Sequence, residues 1–305
     1  MRIIFMGTPD FAVESLKALL ESGYNVVAVV TTPDKPAGRG QKIHQSPVKV
    51  FATQHNIPVL QPEKLRNPEF LEQLKSYNAD IQVVVAFRML PEVVWNMPPM
   101  GTINVHASLL PQYRGAAPIN HAIINGEKES GVTTFKLQHE IDTGHILLSS
   151  KVAIADTDTA GILHDKLMVE GAKLLIRTLE GLKNNSITPT PQDQIDAGAL
   201  KHAPKIFKED CLIDWNNSSE KIYNLIRGLS PYPAAFTLMQ GKVLKIYEAT
   251  YELATHNDPI GSFKYDGKTY LKFATADGYL NLLSVQIEGK KRMKVDEFLR
   301  GYRFE

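Results

Sequence analysis

The sequence predicts an α/β protein, a mostly parallel sheet wrapped by helices, followed by a smaller all-β domain. Three observations carry that reading. Through the first half, short β-branched runs alternate with segments of helical period, the pattern of βαβ units. The texture then changes at a proline-containing stretch, beyond which several short strands follow at close spacing, as in a small barrel or sandwich. Finally, 305 residues exceed a typical domain of roughly 150 residues, and a chain of that size needs no disulfide or metal staple to bury a core.

The elements follow in order. Strands are expected at Arg2 to Met6, Asn25 to Thr31, Asp80 to Ala86, Gly101 to His106 and Gly131 to Leu137, with a last strand-like stretch at Ile146 to Ile154. A helix over Asp10 to Ser22 carries Phe11, Leu16, Leu19 and Leu20 on one face and stops at Gly23, a good terminator. Pro47 to His55 reads as a helix with Ser46 as N-cap and Pro47 in the first position. A long helix is expected from about Asp158 to Leu182. Asn184 to Pro204 holds three prolines and little apolar periodicity, and reads as a linker. Beyond it come a helix at Ser219 to Arg227 and strands at Ala235 to Met239, Val243 to Tyr251, Thr269 to Ala274 and Tyr279 to Ile287. The expected domains are therefore 1–183 and 207–305, joined by a linker at 184–206.

Composition excludes several classes. Lys plus Arg is 34 against 33 Asp plus Glu, so no global field announces a polyanion, a membrane or an acidic partner. One cysteine, Cys211, permits neither an internal disulfide nor a multi-thiolate metal site. The longest apolar runs, such as Val26 to Val30, are far too short to span a bilayer. Met1 leads straight into a strand-like run, so no targeting peptide is expected and the cytoplasm is the expected compartment.

The polar residues narrow the chemistry. Gly7-Thr8-Pro9-Asp10 follows a strand and opens a helix, but the Gly-x-Gly-x-x-Gly spacing of a dinucleotide site is missing. No nucleoside-triphosphate loop is present either. His139, Glu140, Asp142 and His145 lack the spacing of a helical zinc motif, because Thr143 stands four positions after His139. No metal is therefore expected. Ser108 is not in a nucleophile elbow, and Cys211 has no local activating pattern.

A more specific grouping remains. Alternation puts Asn104 and His106 on the same face at the end of a strand, and ligands of open α/β sheets sit beyond the carboxyl ends of strands. The strand Gly131 to Leu137 leads toward Asp142-Thr143-Gly144, which is expected to bring a carboxylate to that same edge. Singly, such a histidine is more often half-buried packing and such an aspartate a turn former; the conjunction is what points to chemistry. An amide, an imidazole and a carboxylate suit acyl transfer between two bound substrates. Asn104 would donate to a developing oxyanion, His106 would move a proton, and Asp142 would orient the imidazole or relay the proton. An α-amino nucleophile titrates near about 7.7, so it needs no strong base.

At this point the motifs are similar to those of a known family. Ile103-Asn104-Val105-His106-Ala107-Ser108-Leu109-Leu110-Pro111-Gln112-Tyr113-Arg114-Gly115-Ala116-Ala117-Pro118 resembles the signature of the folate-dependent formyltransferases. Gly131-Val132-Thr133 through Ile141-Asp142-Thr143-Gly144 resembles their second signature. Phe5-Met6-Gly7-Thr8-Pro9-Asp10-Phe11, the loop Pro33 to Lys42 leading to Ser46-Pro47-Val48-Lys49, and Ile213-Asp214-Trp215 with Ile226 to Phe236 resemble the branch that acts on charged tRNA. The resemblance implies a Rossmann-like formyltransferase fold followed by an OB-like β-barrel. It implies 10-formyltetrahydrofolate as donor and the α-amino group of initiator methionyl-tRNA as acceptor, in translation initiation. It carries over Asn104, His106 and Asp142 as the catalytic trio, Ser108, Leu109, Leu110 and Pro111 as a folate-binding stretch, and Phe87, Arg88 and Leu90 as lining of the pterin pocket. The loop with Arg39 and Lys42 would grip the acceptor end, and the barrel would contact the acceptor arm. Phe135 to Glu140 departs from many relatives, leaving open whether His139 or Glu140 meets the folate.

Charge placement adds to this independently. From Phe207 onward there are 14 Lys plus Arg and 13 Asp plus Glu, yet Lys290, Lys291, Arg292, Lys294, Arg300 and Arg303 crowd the tail. Lys35, Arg39, Lys42 and Lys49 form a second cluster. Two cationic clusters suit a polyanion spanning both domains, with Lys290, Lys291 and Arg292 as tRNA contacts. A small-amine acceptor, such as an amino sugar nucleotide, is the alternative within the family, and it has no need of these clusters. A monomer is expected.

Overall fold

The computed structural model describes residues 1–37, 42–195 and 197–304. They form two compact units: Met1–Gly115, Ser130–Val152 and His164–His202 make the first, and Ala116–Glu129, Ala153–Leu163 and Ala203–Glu305 the second. The α/β domain followed by a smaller antiparallel β domain is what the chain forms.

In chain order, the first half contains β1 (Arg2–Gly7), α1 (Asp10–Glu21), β2 (Asn25–Val30), β3 (Lys35–Ala37), β4 (Lys42–His44), α2 (Pro47–Gln54), β5 (Val59–Leu60), α3 (Pro68–Ser76), β6 (Ile81–Val85), α4 (Glu92–Trp95), β7 (Thr102–His106) and β8 (Arg114–Gly115). After α5 (Pro118–Ile124), which belongs to the second unit, come β9 (Glu129–Lys136), β10 (Ile146–Ala153) and the 24-residue α6 (Ala160–Lys183).

The main sheet runs β10-β9-β7-β6-β1-β2-β5. The five strands from β7 to β5 are parallel, and β9 joins β7 antiparallel. The central strands are apolar on both sides because both faces are covered; Ile3, Phe5, Val83, Val85 and Ile103 are fully buried. Beneath one face, Phe70, Leu74 and Val94 pack on Ile4, Met6, Ala28, Val30 and Val84. Against β7, a Cβ on Gly171 of α6 would stand 3.1 Å from Val105 Cγ1, so the glycine lets helix and strand approach closely. Val105 points away from Asn104 and His106, so α6 packs on the face opposite those two residues.

The helix-end signals work as expected. Gly23 ends α1 at φ 74°, where glycine carries no Cβ penalty. Ser46 caps α2, its hydroxyl accepting from the Lys49 amide at 3.1 Å, with Pro47 next. The long helix begins at Ala160 rather than near Asp158, whose carboxylate instead accepts from the Ala155 amide at 2.8 Å. The stretch read as a linker is laid along the first unit as far as His202: Thr190 exchanges both backbone bonds with Ile146 at 2.8 Å, and a one-turn helix forms at Gln192–Gln194.

The second unit follows β11 (His202–Ala203) with α7 (Ser219–Leu229), β12 (Ala235–Met239), β13 (Lys242–Leu253), β14 (Phe263–Tyr265), β15 (Leu271–Ala274), β16 (Gly278–Ile287), β17 (Met293–Lys294) and α8 (Val295–Gly301). Its antiparallel half-barrel sheet runs β12-β13-β16-β15-β14, with β17 paired to β16. Ile222, Ile226 and Leu229 of α7 bury against Leu244, Ile246, Phe273 and Leu280. Trp215 stacks on Phe273 at 4.5 Å between ring centroids. Arg227 is buried, and the Asn224 side-chain oxygen at 2.8 Å and the Asp158 carbonyl at 3.0 Å accept from its guanidinium.

Candidate active site

The centre lies on β7. Asn104 and His106 share the face that also carries Phe135, which stands opposite Asn104 in register, its ring 6.4 Å from the imidazole. His106 is buried, and its Nε2 lies 3.0 Å from the Tyr113 carbonyl oxygen. A carbonyl only accepts, so Nε2 is the protonated nitrogen and Nδ1 carries the lone pair of the neutral ring. Nδ1 faces Asp142 Oδ2 at 3.9 Å. That separation is too long for a hydrogen bond, and it sets the carboxylate facing the ring nitrogen that carries the lone pair. The same Oδ2 accepts from the Gly115 backbone amide at 3.0 Å. The Asn104 side chain is half-buried and makes no hydrogen bond to a described residue, which leaves its amide free to donate.

Asp142 reaches His106 by a different route from the one its spacing predicts. β9 runs antiparallel to β7, pairing Thr133 with His106 and Lys136 with Ile103, so it ends beside the start of β7. The chain after Leu137 therefore folds back over the sheet face, with Leu110, Phe135, Ile146 and Ile195 packed together there. Gly144 is required in that fold-back: a Cβ would stand 1.6 Å from the Lys136 carbonyl oxygen. Asp142 itself takes φ 55°, a left-handed conformation that aspartate tolerates better than most residues.

The remaining expected residues are placed as follows. Ser108, Leu110 and Pro111 are buried and Leu109 half-buried. The Ser108 hydroxyl donates to the Gln112 carbonyl at 2.7 Å, and the Thr133 hydroxyl ties the Ser108 carbonyl (2.7 Å) to the Leu110 amide (3.1 Å). Ala86, at φ 47°, turns the chain out of β6 into Phe87 and Arg88. Leu90 is buried in the core beneath the sheet, with Phe87 packed against it. The Arg88 guanidinium donates to the Glu63 carbonyl at 2.8 Å and to that of Pro62, while burial lowers its pKa and its Nε has no partner among the described residues. His139 is exposed and pairs with Glu92 at 3.4 Å, its ring set edge-on to Trp95. No cluster of three potential metal ligands occurs among the described residues. Cys211 is buried, and burial pushes its thiol pKa up, so the reactive thiolate is disfavoured.

Of the cationic residues, Arg39 lies outside the described residues and Lys42 begins β4. Lys49 is not a free cation of that loop: its ammonium pairs with Asp34 at 2.5 Å, and this bond with that from Gln61 lowers the Asp34 pKa. Lys290 and Lys291 are exposed between β16 and β17. Arg292 is committed to Glu248 and to Ser284 Oγ (2.8 Å), and lies 4.5 Å above the Tyr247 ring.

Sequence reasoning missed the groups that hold His106 and the turn carrying Asp142. The Tyr113 carbonyl and Gly115 amide are backbone atoms, so no side-chain motif reveals them. Gln192 carried no signal at all, standing in a stretch read as a linker.

Comparison with known proteins agrees with this architecture. Residues 1–179 match the family model described as formyl transferase, and residues 205–303 match the formyl transferase C-terminal domain. The chain belongs to the formyl transferase family and is a transferase. A Bacteroides thetaiotaomicron protein named methionyl-tRNA formyltransferase is 56% identical over 309 residues, covering 99% of this chain and 96% of that one. A Flavobacterium johnsoniae protein of the same name is 51% identical, covering 100% and 97%. Among solved structures, the N-formyltransferase from Helicobacter canadensis, in complex with folinic acid and dTDP-3-aminofucose, superimposes with a TM-score of 0.68 at 21% identity, covering 95% of this chain and 99% of that one. HypX from Aquifex aeolicus in complex with tetrahydrofolic acid gives 0.66 at 18% identity, covering 100% and 48%. At these identities the two structures speak for the fold alone.

Proposed function

We propose that the chain transfers the formyl group of 10-formyltetrahydrofolate to the α-amino group of initiator methionyl-tRNA, and so serves translation initiation in the cytoplasm. The observation that carries the acceptor is the 56% identity to a protein named methionyl-tRNA formyltransferase, which extends over 99% of the chain and therefore through both units. The distant amino-sugar enzyme shares the fold at 21% identity, which gives the small-amine alternative less support.

The residues suit the chemistry. A bond forms between the amine nitrogen and the formyl carbon, the bond from that carbon to the folate nitrogen breaks, and a proton passes from the attacking to the leaving nitrogen. The Asn104 amide, half-buried and unpaired among the described residues, donates to the oxygen that becomes negative. His106 takes up the proton at Nδ1, because Nε2 is held by the Tyr113 carbonyl. Asp142, at 3.9 Å, stabilises the imidazolium so formed. Ser108 to Pro111 would meet the folate through backbone, since most of their side chains face inward, with Phe87, Arg88 and Leu90 supporting the pterin. Arg39 and Lys42 on one domain and Lys290, Lys291 and Arg292 on the other are the proposed tRNA contacts, with transfer on 1–183 and acceptor-arm binding on 207–305. The chain would act as a monomer. The test is a formylation assay with the folate donor and charged or uncharged initiator tRNA; turnover on amino sugars but not on charged tRNA would overturn the reading.

A further inference from the structure

We infer that Gln192 is a positioning residue for the transfer step: its buried side-chain amide clamps the turn carrying Asp142 and so sets the approach of that carboxylate to His106. The inference rests on the proposed roles of Asp142 and His106.

Gln192 is 4% exposed. Its Oε1 accepts two bonds from Arg114, from Nε at 2.9 Å and Nη2 at 2.6 Å. Its Nε2 donates to the backbone carbonyls of Asp142 and Gly144, each at 2.8 Å. Both donors and both acceptor positions of the amide are thus used, and a saturated buried amide has a single orientation. The residue is itself anchored, because the Thr190–Ile146 backbone exchange sits just before it.

The clamped turn is one that needs holding. Asp142 is left-handed at φ 55°, and Gly144 is pressed against the Lys136 carbonyl. Neighbouring Ile141 is 59% exposed, so little apolar packing fixes the turn on that side. With its carbonyl held by Gln192 and its Oδ2 held by the Gly115 amide, Asp142 is fixed at two points, and that same Oδ2 faces His106 Nδ1 at 3.9 Å. Glutamine alone fits this post among residues of its length. Glutamate offers no donor to the carbonyls, and lysine offers no acceptor to Arg114.

The test uses the full chain, with initial rates at varied donor and varied charged tRNA. Gln192→Glu keeps a partner for Arg114 but loses both donors to the turn. A misplacement near 1 Å costs on the order of 100-fold. We therefore expect kcat to fall about 10- to 100-fold, with both KM values within about twofold of wild type. In an Asp142→Asn background the same change should cost less than about twofold, because the charge it positions is gone. Wild-type kcat in Gln192→Glu, a loss confined to KM, or an equal loss in the Asp142→Asn background would each overturn the inference. If the unmodified chain formylates an amino sugar nucleotide and not tRNA, the proposed acceptor fails, and the same rate ratios on that amine still decide the clamp. Gln192→Ala, followed by thermal melting, separates loss of fold from loss of rate.

Discussion

Asp142→Asn tests the electrostatic core of the mechanism, because the substitution preserves size and an oxygen to accept from Gly115. Only the charge facing His106 Nδ1 disappears. Two unit charges 3.9 Å apart interact by about 1 kcal/mol in water and about 4 kcal/mol at an effective dielectric near 20. The side chains of His106 and Asp142 are 9% and 13% exposed, so the upper part of that range applies. With about 1.4 kcal/mol per tenfold in rate, kcat should fall by roughly 100- to 1,000-fold. The interaction exists only once the ring is protonated, so the loss belongs to the transition state and KM should move little. Initial rates of formyl-methionyl-tRNA formation, with each substrate saturated in turn, supply both constants. A variant within about threefold of wild type, or one changed only in KM, would refute the assignment of Asp142 as the charge that supports His106.

Other outcomes follow from the same structure. His106→Ala should lower kcat by about 100- to 10,000-fold, the usual worth of a general acid–base group, while tRNA affinity in a filter-binding assay stays near wild type. Arg39→Ala should do the reverse, raising KM for charged tRNA and flattening its salt dependence; unchanged kinetics would make that loop ordinary surface. Phe273→Ala removes a side chain 1% exposed and stacked on Trp215, and should cost about 3–5 kcal/mol in urea unfolding of the second unit. Asp277 accepts from the Ser219 amide at 2.7 Å, and that bond chiefly holds its pKa below the ordinary carboxylate value. Its contribution is complete above the unfolded carboxylate range and fades as pH falls through the depressed folded value. Asp277→Asn should therefore lower the urea midpoint at pH 7 more than at pH 3; an equal loss at both would show that its charge is not what stabilises.

What the sequence determined by itself was whatever rests on neighbours along the chain. The two textures separated an α/β domain from a β domain, Ser46-Pro47 announced a helix start, and Gly23 announced a helix end. The two-residue period of a strand put Asn104 and His106 on one face. Shorter pieces escaped: β5 has two residues, and α3 opens at an Asn67-Pro68 cap that was legible but unread. Tertiary structure decided which surfaces met. No spacing reveals that β9 runs antiparallel, so the turn with Asp142 had to fold back over the sheet to reach His106. Nor does it reveal that Lys49 is neutralised by Asp34, or that Gln192 bonds Asp142 from 50 residues away and Arg114 from 78. Period and capping act over a few residues, whereas a buried amide finds its partners only once the sheet has brought distant segments together.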